Sequence, residues 1–419
     1  MTRILLQLLL TALLSNVCLS ESNLRGIDKS QDTHVFRDSI PFFASRSDIV
    51  KQSPLLPTYV HEVVFAVEQN NMDELERILN DVSDPSSANY GQHLSGEQVA
   101  AMTMNPEGRD AIVNYLHANG ATVTSESLNS EFITARAPIS LWNKVFNTEF
   151  ALFHQEQVGG EVEQLVRAES YSVPNELDKH VVCVLNTIEM PVVHTRRPNV
   201  YDAPKEAISG MSRSLGSAYS LGWILPKVLR NYYNVSNTQG STFSTQAAYG
   251  ANSDFFNPSD LAKFQSFDNG NYRQPVMNVG GHVTSNVADL GEDGDWGEGN
   301  LDIQYIVAMS RGSPTTYWYW KFTLASWLVS LSSVVDVPLV LSVSYGAEEG
   351  FTSNSEHRVF NDEAIKLGVR GVTILVASGD DGAVTYRARG TPSKCAYRPG
   401  FPASNPFVVA VGATSVREQ

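Results

Sequence analysis

Two stretches, "VPLVLSVSYG" (337–346) and "VTILVASGDDG" (372–382), decide the fold. Each contains a run with little polar alternation, PLVLSV at 338–343 and VTILVA at 372–377, and then breaks into small residues and glycine. A strand with one face in a core alternates apolar and polar residues. A continuous apolar run is instead a strand covered on both faces, the habit of parallel sheets flanked by helices. Between the two, "SEHRVFNDEAIKLGVRG" (355–371) has helical apolar spacing and supplies the crossover that a parallel pair needs. Outward from this pair the alternation continues through "PVMNVGG" (275–281), a helix within 295–309, "TTYWYW" (315–320), a helix in "FTLASWLVSLSS" (322–333) and a last strand in "NPFVVAVGATS" (405–415). The expectation is an α/β, doubly wound parallel sheet with its chemistry at the carboxyl ends of the strands, where Gly346 and Gly382 close their motifs.

The N-terminal part has another rhythm. "YVHEVVFAVEQ" (59–69) alternates as a strand, and "NMDELERILNDVSD" (71–84) and "PEGRDAIVNYLHANGA" (106–121) read as helices, the second closed by Gly120. Strands follow at 121–126, 131–138 and 149–155, with a helix around Leu141–Phe146. This predicts a two-layer α+β unit of ferredoxin-like type. Between 194 and 220 the chain turns polar and aperiodic, reading as a linker with a processing site nearer Leu215–Ser220 than the Arg196–Arg197 pair, which Pro198 follows. The division is then 1–20 signal peptide, 55–193 N-terminal domain, 194–220 linker and 221–419 C-terminal domain.

Composition bounds the function. With 419 residues, 42% hydrophobic and 18% charged, the chain can bury two ordinary cores. A net charge of -15 argues against nucleic acid and anionic membrane surfaces as partners. "MTRILLQLLLTALLSNVCLSES" (1–22) has the pattern of a secretory signal cleaved about after Ser20, and no other stretch reaches about 18 uninterrupted apolar residues. On a secretory route Asn234-Val235-Ser236 is a glycosylation sequon at Asn234. Of three cysteines, Cys18 leaves with the signal; Cys183 and Cys395 are too few for a disulfide scaffold and lack metal-site clustering, and whether they pair stays open. No cofactor is expected. The acidic run "DLGEDGDWGEG" (289–299) lacks the Gly and Glu spacing of a calcium loop.

The chemistry concentrates in "DWGEGNLDIQYIVAM" (295–309). At about 100° per residue, Glu298 and Asp302 point the same way as Tyr305 and Met309, which puts both acids at the centre of an apolar helix face. Four residues apart they reach each other, and like charges in a desolvated site cannot both ionise cheaply. That is the raw material of acid/base chemistry. Asp380, on a Ser-Gly-Asp turn after a buried strand, adds a third carboxyl; if protonated it can donate to a developing oxyanion. The aromatics Tyr317 to Trp320 read as core rather than subsite.

"EGNLDIQY" (298–305), "VSYG" (343–346), "VASGDDG" (376–382), "YRPGFPASNPFVVAVGATS" (397–415) and the upstream "SDPSSANYGQHLSGEQVA" (83–100), in this order, resemble the sedolisin family of serine-carboxyl peptidases, its tripeptidyl-peptidase branch most of all. The resemblance implies a subtilisin-like sheet behind a pro-kumamolisin-type activation prodomain that acts as intramolecular chaperone and inhibitor and is removed at low pH. It implies Glu298 as general base toward a serine, Asp302 as the residue orienting it and Asp380 as the oxyanion acid. The partners implied are peptide or protein substrates, and the compartment extracellular or lysosome/vacuole. A carboxylate in place of histidine keeps a base working at acid pH.

The sequence departs from the family in one respect. A Gly-Thr-Ser-type nucleophile motif and a calcium site are expected beyond the last strand, and neither occurs; Ser415 in "VGATS" matches a motif upstream of the nucleophile and is not expected to be catalytic. The sheet is therefore expected to be incomplete at its C-terminal edge and this chain alone inactive, as the first part of an acid peptidase zymogen whose reading frame continues past Gln419. The alternative is an inactive truncated product that binds or inhibits an intact relative.

Overall fold

The computed structural model describes residues 33–41, 46, 48–156, 162–191, 224–235, 239–251, 255–268, 272–280, 297–320, 322–382, 384 and 392–413. The signal peptide, the 194–220 linker and Ser415 lie outside these.

The N-terminal unit contains β1 (His34–Ser39), β2 (Ile49–Pro54), β3 (Val60–Val67), α1 (Met72–Ser83), α2 (Gly96–Thr103), α3 (Pro106–Ala118), β4 (Thr122–Glu126), β5 (Phe132–Pro138), α4 (Ile139–Val145), β6 (Ala151–Glu156), β7 (Val162–Arg167), β8 (Ser170–Pro174) and β9 (Val181–Leu185). Its main sheet is antiparallel in the order β4-β5-β3-β9; β2-β6-β7 and β1-β8 form two smaller sheets. Alternation in β3 sorts the layers: Val63 and Phe65 enter a core with Ile112, Leu116, Trp142 and Phe146, while Ala66 faces the other way. The sequence did not reveal β1, β2 or α2. For α2 the missed signal is a capping box, in which Ser95 accepts from the Gln98 amide and the Gln98 side chain from that of Ser95.

The C-terminal unit contains α5 (Pro226–Tyr232), β10 (Gln246–Gly250), α6 (Pro258–Phe267), β11 (Val276–Val279), α7 (Gly297–Met309), β12 (Thr315–Tyr319), α8 (Leu324–Ser332), β13 (Val340–Val343), β14 (Ala347–Glu348), α9 (Asn354–Val369), β15 (Thr373–Ala377), β16 (Gly400–Phe401) and β17 (Val409–Val411). Six strands form one parallel sheet in the order β11-β12-β10-β13-β15-β17. One face packs through Ala248 and Tyr317 on Ile303 of α7, the other through Tyr249 and Leu341 on Trp327 of α8 and Phe360 of α9. Helices on both faces are what the continuous apolar strands require. Tyr317 and Trp318 are buried, as their reading as core anticipates. β10, near the middle of the sheet, was not read from sequence because "QAAYG" has no large apolar run; its five residues are nonetheless buried.

Helix α9 lies between the two sheets. Ala364 and Leu367 share a core with Ala66, Phe132, Val182 and Cys183 of the N-terminal unit, and Ile365 and Val369 pack on Leu75 and Val99. A Cβ at Gly368 would meet Leu79 of α1 at 2.7 Å, so glycine permits this close approach. Cys183 is buried and Cys395 exposed, and both are free thiols.

Charge is buried here too. Lys366 Nζ donates to Glu131 of the N-terminal unit and to Glu363 of its own helix, at 2.8 Å each, with all three side chains at most 5% exposed. Burial alone would depress the ammonium, but Glu363 and Glu131 outweigh it and hold the pKa up. Burial pushes Glu131 up, with Lys366 pulling the other way. At the start of α9, Asp38 accepts from the Ser355 amide at 2.6 Å, so the N-terminal unit caps a helix of the C-terminal one.

Glu356, 3% exposed, faces the same boundary. Burial, then Glu189 and Asp38, push its carboxyl up to about 8 against a hydrogen bond from Thr323. A carboxyl whose folded pKa lies above the ordinary 4.5 contributes stability that is fully present below that value and lost as pH rises through about 8. The isosteric Glu356→Gln cannot ionise. It is therefore expected to match the parent chain in urea unfolding near pH 4.5 and to gain on it by on the order of 1 kcal/mol per pH unit up to pH 8. A difference that does not change between these pH values would contradict this account.

Candidate active site

Helix α7 is held on one face of the sheet by small-residue contacts and by hydrogen bonds that include those of Asn300, Asp302 and Tyr305. A Cβ at Gly299 would stand 2.8 Å from the Tyr317 hydroxyl and from the Phe255 carbonyl oxygen, and one at Gly250 would stand 2.1 Å from the same hydroxyl. Tyr317 thus passes between two glycines, which sets the height of α7 above β10 and β12. Asn300 Oδ1 accepts from the Asn257 amide at 2.8 Å, Tyr305 Oη donates to the Ile224 carbonyl at 2.5 Å, and Asp302 Oδ1 accepts from Ser344 Oγ at 2.8 Å.

The buried stripe of α7 is Gly299, Ile303 and Val307, with Ala308 beside it. This corrects the expectation that Glu298 and Asp302 occupy the centre of the apolar face. The axis of burial is rotated by one residue, about 100°, because Gly299 presses on Phe255 and Tyr317. Glu298, Asp302, Tyr305 and Met309 lie at the margin, half-buried, and Leu301 is 49% exposed. The acids consequently lie beside the apolar stripe rather than at its centre, and Asp302 Oδ2 is shielded from solvent.

Asp302 is fastened to the carboxyl end of β13, since Ser344 follows its last residue. Sequence reasoning quoted this motif without selecting Ser344; the available signal was its position immediately after a buried strand. Asp380 follows β15, the direct neighbour of β13, on a turn made by Gly379 at φ 88, a left-handed conformation suited to glycine, and is exposed. All three acids therefore stand at one end of the sheet, Glu298 and Asp302 on a shared helix and Asp380 on a separate loop. Asn234 has φ 52 and follows α5; Ser236 of its sequon lies outside the described residues. Among the described residues no group of three or more His, Cys, Asp or Glu is placed to hold a metal ion, and no helix is long and apolar enough to cross a membrane.

Comparison with known proteins bears on both halves. The family described as "Pro-kumamolisin, activation domain" matches residues 47–190. Tripeptidyl-peptidase 1 of Macaca fascicularis is 31% identical over 375 residues, covering 85% of this chain and 62% of that protein. Its Homo sapiens counterpart is 30% identical over the same length and shares. The chain thus spans about three-fifths of the length of the curated relatives it matches, 62%. A solved Pseudomonas sedolisin, a serine-carboxyl proteinase complexed with pseudo-iodotyrostatin, is 22% identical, covers 46% of this chain and 55% of its own, and superposes with a TM-score of 0.37, too slight to add to the topology described above. The chain is thus similar to the pro-kumamolisin activation domain over residues 47–190 and to tripeptidyl-peptidase 1 across 85% of its length.

Proposed function

We propose that this chain carries the activation prodomain and the first part of the peptidase domain of an acid-acting serine-carboxyl peptidase zymogen, of tripeptidyl-peptidase or endopeptidase type, that travels the secretory route to a lysosome-like or extracellular compartment. In this reading residues 55–193 are the prodomain, 194–220 the processed linker and 221–419 peptidase. The antiparallel β4-β5-β3-β9 order supports a ferredoxin-like prodomain, and the parallel sheet with helices on both faces a subtilisin-like peptidase core.

The observation that carries the reading is the acid pair on α7, fastened through Asp302 to the carboxyl end of β13. Glu298 is the general base that takes the proton of a serine hydroxyl as it attacks the peptide carbonyl. Asp302, fixed by Ser344, orients Glu298 from one helical turn away. The Asp380 carboxyl O–H donates a hydrogen bond to the oxyanion, which only a protonated carboxyl can do and which therefore ties the reaction to acid pH. The prodomain covers α9 until it is removed.

The test is the secreted gene product, acid-treated and assayed on an unstructured protein such as casein. Serine-type proteolysis near pH 4.5 that vanishes near neutrality is the expected result. Proteolysis that peaks at neutral pH, or none under any condition, would overturn the proposal.

A further inference from the structure

We propose that the cavity beside the starts of β11 and β12 is the seat of the chain's own glycan, and that it takes the N-acetylglucosamine core of an oligosaccharide carried on Asn234. This rests on the secretory reading above, under which the Asn234 sequon is usable, and deepens it by naming where the sugar goes.

Three observations converge on this cavity. First, its position separates it from the peptidase chemistry. It is an open-mouthed space of about 750 Å³, within the range of about 300–1,000 Å³ common to small-molecule sites. Its walls include Gln274 and Pro275, just before β11, and Pro314, just before β12. These are the amino ends of parallel strands, whereas Ser344 and Asp380 follow carboxyl ends. A ligand held here is not the peptide presented to the acid pair.

Second, the walls suit a neutral, two-sided ligand. The chain carries a net charge of -15, yet among the described residues no Asp or Glu lines the cavity, so nothing there favours a cation. Arg311 lines it, but its charge is already engaged by Asp268, whose carboxylate it shares with Arg230 at 2.6 and 2.7 Å. Tyr272, with the Arg311 guanidinium 4.4 Å from its ring centroid, supplies apolar surface together with Pro275, Pro314 and Met277, which is 61% exposed. Gln274 is held rigid: its amide donates to the Ser313 carbonyl at 2.5 Å and accepts from the Gly312 amide at 2.7 Å. A pyranose has an apolar C–H face and a rim of hydroxyls, and an acetamido group adds a methyl and a carbonyl. Aromatic, proline and methionine surface mixed with amide and guanidinium donors matches that pattern.

Third, Asn234 is within reach. Arg230 and Arg311 meet on Asp268, so the last turn of α5 is fastened to the cavity wall. Asn234 lies four residues beyond Arg230 and is exposed. Downstream, Gln239 lines the cavity and bridges Arg311, and the Gly240 amide donates to the Arg311 carbonyl at 2.6 Å. The chain from Asn234 to Gln239 spans at most roughly 18 Å when fully extended, an upper limit on the gap between sequon and rim. A glycan laid across that gap would tie α5 to the turn between α7 and β12.

The experiment uses the secreted gene product from a glycosylating host. Mass spectrometry of the peptide containing Asn234 first reports whether it is modified. Release of the glycan from the folded protein, by an endoglycosidase that cuts within the N-acetylglucosamine core, is then timed for the parent and for Tyr272→Ala, with circular dichroism reporting that both are folded. Tyr272→Ala is expected to speed release about tenfold, because a seated core must leave the cavity before it can be cut. A second measurement leaves the wall intact and decides the matter if Tyr272→Ala does not fold. Saturation-transfer NMR with N,N′-diacetylchitobiose should show binding to Asn234→Gln, whose cavity is free of sugar, and a signal at least about fivefold weaker with the glycosylated parent, whose tethered sugar excludes the free one. Release rates within about twofold of each other, or equal chitobiose signals from the parent and Asn234→Gln, overturn this inference and leave the glycosylation reading standing. An unmodified Asn234 overturns both and leaves the peptidase reading untouched.

Discussion

Replacing Lys366 by Met should cost about 3–5 kcal/mol of stability at neutral pH, the usual cost of leaving buried charge without its partner. Methionine preserves most of the apolar stem, so the loss comes from the ammonium itself. Without it Glu131 and Glu363 share a site with both side chains at most 5% exposed, and each must stay charged against burial or take up a proton. Glu131 belongs to the N-terminal unit and Lys366 and Glu363 to α9, so the two halves should also part more readily. Urea unfolding measures the first effect, and limited proteolysis between residues 191 and 224 the second. The double variant Lys366→Met, Glu131→Gln should recover a substantial part of the loss by removing one of the orphaned charges. A single variant within about 0.5 kcal/mol of the parent would mean the cluster is solvated and contributes nothing of this kind.

Glu298→Gln is expected to lower kcat of the acid peptidase about 10³-fold, the range for loss of a general base, with KM little changed. Glutamine reproduces the shape and can still hydrogen-bond, but it cannot accept the serine proton. Asp302→Asn should cost less, about 10-fold to 100-fold, since it removes an orienting charge while an amide oxygen can still accept from Ser344. The split between the two variants is the informative quantity. A Glu298→Gln enzyme with normal kcat, or an Asp302→Asn enzyme impaired more than Glu298→Gln, would take the base role away from Glu298.

Much of this architecture was legible because it rests on long-range features of pattern. β13 and β15 carry continuous apolar runs and are parallel neighbours as expected, but their burial alternates: Leu341, Val343, Ile374 and Val376 are buried while Thr373 and Ala377 are exposed, so the second face is less covered than such runs imply. β10 stayed hidden because alanine and glycine, which let helices and Tyr317 come close, carry no periodic signal. The acid pair was recognised by residue type and spacing, while its orientation was misjudged by one residue. A helical wheel counts the leucine at 301 as apolar, but it cannot know that Gly299 is the residue pressed into the sheet. Ser344 and Glu356 were not singled out for a related reason: their roles come from what the fold sets beside them, Asp302 in one case and the N-terminal unit in the other.

Helix α9 is enclosed on two sides by different neighbours, and one of them is expected to leave. The same residues must then satisfy two solvents in turn. Phe360, which packs on Phe401, faces the permanent sheet and can be simply greasy, but Ile365, Val369, Glu363 and Lys366 face the temporary one. A wholly apolar second face would bind the N-terminal unit well and then make the released product sticky; a wholly charged one would release cleanly and bind poorly. The mixture of aliphatic residues and paired charge along this face is a compromise between adhesion and solubility. Substitutions that tighten the assembled chain there should be those that make the separated peptidase aggregate.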